Sequence, residues 1–170
     1  MIKHIKINKD NLAYALQITQ ELFPNRNARK DYEGAVSGEN DYNYFLIYDG
    51  DYCIGTSGIY HIGSDYENGW VGFFGILPQF RREALGSDAL RLLDETARDL
   101  GFRCMRALVN KSLDDEGAIT FFKANGYQME EYYNPKDRAS LNHDFIIMTK
   151  SLFQEPIKPW NNKNLHLSEL

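Results

Sequence analysis

The residues with the clearest chemical potential lie together in one run, Ile76-Leu77-Pro78-Gln79-Phe80-Arg81-Arg82-Glu83-Ala84-Leu85-Gly86-Ser87. An apolar stretch, Trp70–Leu77, meets Pro78, then two arginines, then an amphipathic pattern with Gly86 near its start. That order reads as a strand handing over to a helix N-terminus. The first backbone N–H groups of a helix have no intrahelical partner, and the aligned peptide dipoles add about half a positive charge there. With Arg81 and Arg82 alongside, the run predicts an anion site suited to a pyrophosphate. It is not a Walker A loop, because no G-K-[ST] follows, nor a dinucleotide fingerprint, because the three-glycine pattern is missing. An ordinary strand-to-helix turn is the competing reading, and the surrounding elements must decide between the two.

Those elements follow from periodicity and turn chemistry. Ile2–Ile7 alternates as an entry strand, and Asp10 is placed to cap a helix that Pro24 stops. A short second helix fits within 25–40. Tyr44–Tyr48 and Tyr52–Ile62 form a hairpin around Asp49-Gly50-Asp51, and a turn over Gly63–Gly69 leads into the single strand Trp70–Leu77. Leu85, Ala89, Leu92, Leu93 and Leu100 mark one face of a helix with Gly101 as its C′ residue. Strand Cys104–Val109 comes next, parallel to Trp70–Leu77, because a strand–helix–strand unit crosses over. Asp115 then caps a helix closed by Gly126, and strands Tyr127–Tyr133 and Asp144–Ser151 complete the order β-α-α-β-β-β-α-β-α-β-β.

Composition narrows the class of partner. The chain has 170 residues, 43% apolar and 25% charged, which suits one folded, soluble domain. A formal net charge of −5 argues against nucleic acid or an anionic membrane as partner. The start M-I-K-H-I-K has no apolar core of a signal peptide, so a cytoplasmic protein is expected. Cys53 and Cys104 fall in predicted strands as small buried hydrophobes, and the four histidines are scattered, so no metal site is expected.

Residues 76–86 resemble the loop V-x-P-x-[YF]-R-x-x-[GA]-x-G of the GNAT superfamily of N-acetyltransferases, which cradles the pyrophosphate of acetyl-CoA. The chain departs from it at Ala84, where the family prefers glycine; a helical φ there would admit the methyl. Asp115 to Tyr127 resembles the family's N-x-x-A-x-x-[FL]-Y-x-x-x-G-F, with Asp115 for Asn and Phe122 for Tyr. The resemblance covers 1–152, leaving 153–170 as a C-terminal tail, either mobile or anchoring a dimer through Trp160. It implies an α/β (α+β) GNAT fold: a mixed central sheet of about seven strands with flanking helices. The parallel fourth and fifth strands would splay around the acyl-CoA site.

The same resemblance implies the site residues. Ile76 and Leu77 pair with the pantetheine arm, and the backbone from Arg82 through Glu83, Ala84, Leu85 and Gly86 to Ser87 holds the pyrophosphate with Arg81. The Ile76 N–H is the oxyanion donor. Asn110, Asp115 and Phe122 line the cofactor arm. Gly72 and Gly75 within the strand mark a bulge or a close backbone approach. The family's thiolate acid is a tyrosine at the position of Phe122, so Tyr132 or Tyr133 would have to substitute. A thiolate with a pKa of about 8.5 also leaves tolerably unaided. An alkylamine with a pKa near 10.4 must lose a proton, yet Trp70–Phe80 holds no carboxylate. Glu67 is the first candidate base, with Asp65 and His61 behind it.

The stretch between Lys30 and Arg81 contains no Lys or Arg, where the chain's own frequency predicts about five or six. It carries eight carboxylates and seven of the eleven tyrosines. In the family fold this region lines the acceptor side, where it would suit a small cationic amine; the competing reading is that tyrosines favour strands and acidic turns are simply solvated. The expected activity is acetyl transfer from acetyl-CoA to such an amine, without metal and with a possible homodimer. The rival is a GNAT-fold module that binds acyl-CoA with little turnover. Transfer of a longer acyl group is a third possibility.

Overall fold

The computed structural model describes residues 1–81, 84–110, 116–131 and 145–160. Among these the fold is mixed α/β, with eight strands and four α-helices: β1 (Ile2–Lys6), α1 (Leu12–Leu22), α2 (Arg29–Ser37), β2 (Asn43–Asp49), β3 (Tyr52–Tyr60), β4 (Asn68–Val71), β5 (Gly75–Ile76), α3 (Leu85–Asp99), β6 (Cys104–Asn110), α4 (Glu116–Ala124), β7 (Gln128–Glu131) and β8 (Phe145–Ser151). Strand pairing is mostly antiparallel, with β4 and β6 parallel as expected. The chain divides into two compact units, one of Met1–Tyr60 and Val71–Thr96, the other of His61–Trp70 and the described residues from Ala97 onward.

In the first unit β1 pairs with β2, β2 with β3 and β3 with β5. Successive β2 side chains take opposite faces. Tyr44 and Leu46 join Ala15 of α1, Tyr32 of α2 and Phe73 in one core. Ile47 joins Ile54, Ile76 and Ala89 of α3 in the other. Asp10 does not cap α1. Asn8 Oδ1 accepts the N–H groups of Asp10 (2.8 Å) and Asn11 (3.1 Å), and Asn11 Oδ1 accepts that of Asn8 at 2.8 Å. This reciprocal asparagine turn satisfies the entry backbone before the helix begins.

The single strand expected over Trp70–Leu77 is broken. Phe73 has φ 44°, a left-handed conformation uncommon for a bulky residue, and it separates β4 from β5. Side-chain and backbone bonds hold the break: Thr56 Oγ1 donates to the Phe73 carbonyl at 2.6 Å and the Gly72 N–H donates to the Gly58 carbonyl at 2.9 Å. Burial of the Phe73 ring against Phe23, Tyr32 and Tyr44 offsets the backbone cost.

In the second unit the parallel ladder covers Asn68–Trp70 against Cys104–Arg106, and β6 continues beyond it to Asn110. Arg106 is 1% exposed and every face of its guanidinium is occupied. It donates to Asn68 Oδ1 (2.8 Å), Glu130 Oε1 (2.5 Å), Thr149 Oγ1 (3.2 Å) and the Lys158 carbonyl (2.6 Å). The tail is tied in by the same cluster: the Trp160 N–H donates to Glu130, and its buried indole meets Trp70 edge-on at 5.0 Å. Trp160 is therefore a core residue of its own chain, not an anchor displayed for a partner. Cys53 and Cys104 are half-buried and are not joined in a disulfide.

Candidate active site

β5, the turn after it and the start of α3 lie within the first unit. The Leu77 N–H donates to the Ile54 carbonyl at 2.7 Å, while the register sets Ile76 opposite Gly55. Opposed pairs in an antiparallel ladder alternate between exchanging both bonds and exchanging none. Leu77–Ile54 is the bonded pair, so the N–H and C=O of Ile76 turn away from β3. Gly55 allows this approach, because a Cβ there would collide with the Gly75 carbonyl oxygen. Gly72 and Gly75 make room for side chains instead: the Tyr60 ring would lie 2.9 Å from a Cβ at Gly72, and Phe23 3.2 Å from one at Gly75.

After β5, Pro78–Phe80 forms one 3₁₀ turn, and Phe80 and Leu85 pack against the core of Ile47, Ile54, Ile76 and Ala89. Arg81 folds back so that its Nε donates to the Ile76 carbonyl at 2.7 Å. Ala84 has φ 56°, not the helical φ expected of it. Its methyl costs about 1–2 kcal/mol in that conformation, which is the physical reason glycine suits the position better. The Asp88 N–H is bonded to the Ala84 carbonyl at 3.2 Å, so the amides of Leu85, Gly86 and Ser87 sit ahead of that bond at the start of a 15-residue helix. Arg82 and Glu83 fall outside the described residues. The structure thus brings Ile76, Leu77, Arg81, Ala84, Leu85, Gly86 and Ser87 onto one short segment of one unit.

The other predicted residues belong to the second unit or lie outside the description. Glu67 is exposed, and its carbonyl takes the N–H groups of Arg103 and Cys104. The Asp65 carboxylate is used in the turn, accepting from the Glu67 and Asn68 backbone and from Asn68 Nδ2. His61 is buried with its ring 4.4 Å from that of Tyr66. Asn110 closes β6 opposite Phe145. Phe122 is buried against Phe121 and Tyr127. Asp115, Tyr132 and Tyr133 lie outside the described residues.

The tyrosine-rich stretch resolves into one cluster and several scattered residues. In the first unit Tyr32, Tyr42, Tyr44 and Tyr60 contact one another or Phe73. Burial lifts all four phenols, Tyr32 to about 12, so they remain protonated. Asp31 is the carboxylate beside them, and burial raises its pKa against the pull of Lys30 and Arg26. The other acids are dispersed; Asp49 pairs with the N-terminus and Glu33 with Arg29. Arg26, which precedes the cation-free stretch, sits over the Phe73 ring at 4.4 Å. Sequence spacing gave no hint of it, since residues 26 and 73 meet only through the fold.

Among the described residues, no helix is long and apolar enough to cross a membrane, and no cluster of three His, Cys, Asp or Glu is placed to hold a metal ion. Similarity to known proteins agrees with the geometry. A GNAT family acetyltransferase from Elizabethkingia anophelis, solved with acetyl-CoA bound, shares 13% identity at a TM-score of 0.67, covering 88% of this chain and 97% of that one. Spermidine N-acetyltransferase from Vibrio cholerae, in complex with CoA and spermine, shares 11% at 0.69, covering 89% and 95%. Ribosomal-protein-S18-alanine N-acetyltransferase from Escherichia coli shares 16% at 0.66, covering 94% and 99%. At these identities the likeness is one of fold. No curated protein matches the chain in sequence. The profile of the Acetyltransferase (GNAT) family matches residues 12–127, well over half of the sequence, and the chain belongs to that family.

Proposed function

We propose that the protein transfers an acetyl group from acetyl-CoA to the primary amine of a small molecule that arrives as an ammonium ion. The observation that carries this reading is the backbone of Ile76, turned away from β3 and followed within one turn by Arg81 and the α3 amides. Donors at a helix N-terminus hold a pyrophosphate. The Ile76 N–H is a fixed dipole that would stabilise the oxyanion formed on acyl transfer, and such donors are among the larger catalytic terms. Leu77, next along the same segment, is the further residue of this unit assigned to the cofactor arm.

The acceptor must shed a proton before attack. Asp31 suits that role better than the exposed Glu67, because burial has raised its basicity and it lies among the tyrosines that pack on Phe73. The aromatic faces and the carboxylate also suit an ammonium, in keeping with the amine acceptors named for two of the structural neighbours.

Titration calorimetry with acetyl-CoA, followed by thiol release across a panel of amines, tests the proposal. Binding with turnover is the expected result, and no binding overturns it. Tight binding without thiol release on any amine establishes a second reading, an acyl-CoA-binding module. That reading draws on Phe122, which lacks a hydroxyl, and on the strained Ala84.

A further inference from the structure

We infer that the acceptor carries a carboxylate as well as its amine, and that Arg26 binds this carboxylate; the inference rests on the acyl-transfer reading above. The face of α1 and the link to α2 border a cavity of about 630 Å³. Its polar lining includes Gln17, Gln20, Asn25, Arg26, Asn27 and Arg29, and no carboxylate is part of it. In a chain of formal net charge −5, with eight acids between residues 31 and 67, a cavity bordered by two arginines and no acid favours an anion.

The two arginines are not equivalent. Arg29 is committed to Glu33, 3.0 Å away across one turn of α2. The Arg26 guanidinium makes no ion pair or hydrogen bond among the described residues. The rings of Phe73 (4.4 Å) and Phe23 (5.5 Å) hold it instead. An aromatic face positions a guanidinium without using its N–H groups, so five donors remain in a rigid fork that matches a carboxylate. Phe73 sits in the strand break three residues before Ile76, so those donors lie beside the segment assigned to the acyl group.

Asp31 lies outside that lining but close enough for the Arg26 charge to act on it, and the two form no ion pair among the described residues. A ligand that presents an ammonium to Asp31 and a carboxylate to Arg26 answers both. The acceptor class is therefore an amino acid or a compound with the same pair of groups. A polyamine would instead set a second ammonium against Arg26, a like-charge contact that selects against it.

The test compares amines that differ only in the carboxylate: lysine with cadaverine, ornithine with putrescine, arginine with agmatine, tyrosine with tyramine. Each pair is titrated directly onto the protein, with and without CoA, and assayed for thiol release from acetyl-CoA. The acid member is expected to bind about tenfold tighter or more in at least one pair. Arg26→Gln should erase that ratio, and Arg26→Lys should keep only part of it, with acetyl-CoA affinity unchanged in both variants. Equal binding within every pair, tighter binding of the decarboxylated members, no binding of any acid member, or an equal loss for both members in Arg26→Gln overturns the inference. Absence of acetyl-CoA binding would instead sink the acyl-transfer reading, and the direct titrations would still report on Arg26.

Discussion

Arg106 and the pair Arg26 and Arg81 show two ways of holding a guanidinium. Arg106 is 1% exposed, with a carboxylate, an amide, a hydroxyl and a carbonyl around it. Its charge is neutralised and its donors are consumed, so it fastens β4, β6, β7, β8 and the tail of the second unit. Arg81 is exposed and held by one carbonyl, and Arg26 is held by rings. Neither has a carboxylate partner among the described residues, so both keep charge and donors for a ligand. The partner chosen by an arginine, more than its burial, separates a structural role from a binding one.

The largest effect is expected from Glu130→Ala. Removing the carboxylate that, among the described residues, meets Arg106 leaves a buried charge uncompensated, which costs about 3–5 kcal/mol. Melting temperature should fall by roughly 6–20 °C, with a red shift in tryptophan emission as Trp160 loosens. Arg81→Ala should do the reverse: acetyl-CoA affinity falls about tenfold while stability changes by no more than about 1 kcal/mol. If Arg81→Ala unfolds the protein as readily as Glu130→Ala, the distinction between the two kinds of arginine is lost.

Two smaller effects sharpen it. Ala84→Gly removes the left-handed penalty at the cost of some chain entropy, for a net gain of about 0.5 kcal/mol, read as a rise of about 1–2 °C, with acetyl-CoA bound at least as tightly. Asp31→Asn gives the smallest change and a definite sign. Burial raises the folded pKa of Asp31 above its ordinary 3.8, so folding favours its protonated form. The site's contribution is greatest below 3.8 and is lost as pH rises through the folded value. Asp31→Asn should therefore be slightly more stable than the parent at pH 7.5, with the difference closing as pH falls towards 3.8. Chemical denaturation at both pH values measures it, and a difference that widens in acid would reverse the assignment.

Periodicity carried much of this fold. The helix of Leu85–Asp99 and the glycines after it and after α4, with φ 96° at Gly101 and 88° at Gly126, follow from apolar spacing and turn chemistry alone. What stayed hidden has particular causes. Phe73 is read as an ordinary strand residue because nothing local reveals its positive φ; Thr56, seventeen positions away, holds it there. Arg106 breaks an apolar strand pattern without announcing Glu130 and Lys158 as its partners. The segment proposed to hold phosphate was legible as a contiguous strand, turn and helix start. Arg26 and Asp31 were not, because their significance depends on rings delivered by β2, β3 and the strand break.

The contact between Arg81 and Ile76 also bears on association. β5 is two residues long, pairs among the described residues with β3 alone and turns an N–H and a C=O outward on its other side. Outward-facing strand backbone is a template on which a foreign extended chain can add. Arg81 places a cationic cap on the outward carbonyl, so an intruding strand would have to evict a charged side chain to gain one hydrogen bond. The residue assigned to recognise phosphate thus also protects the outer edge of β5 from unwanted strand addition.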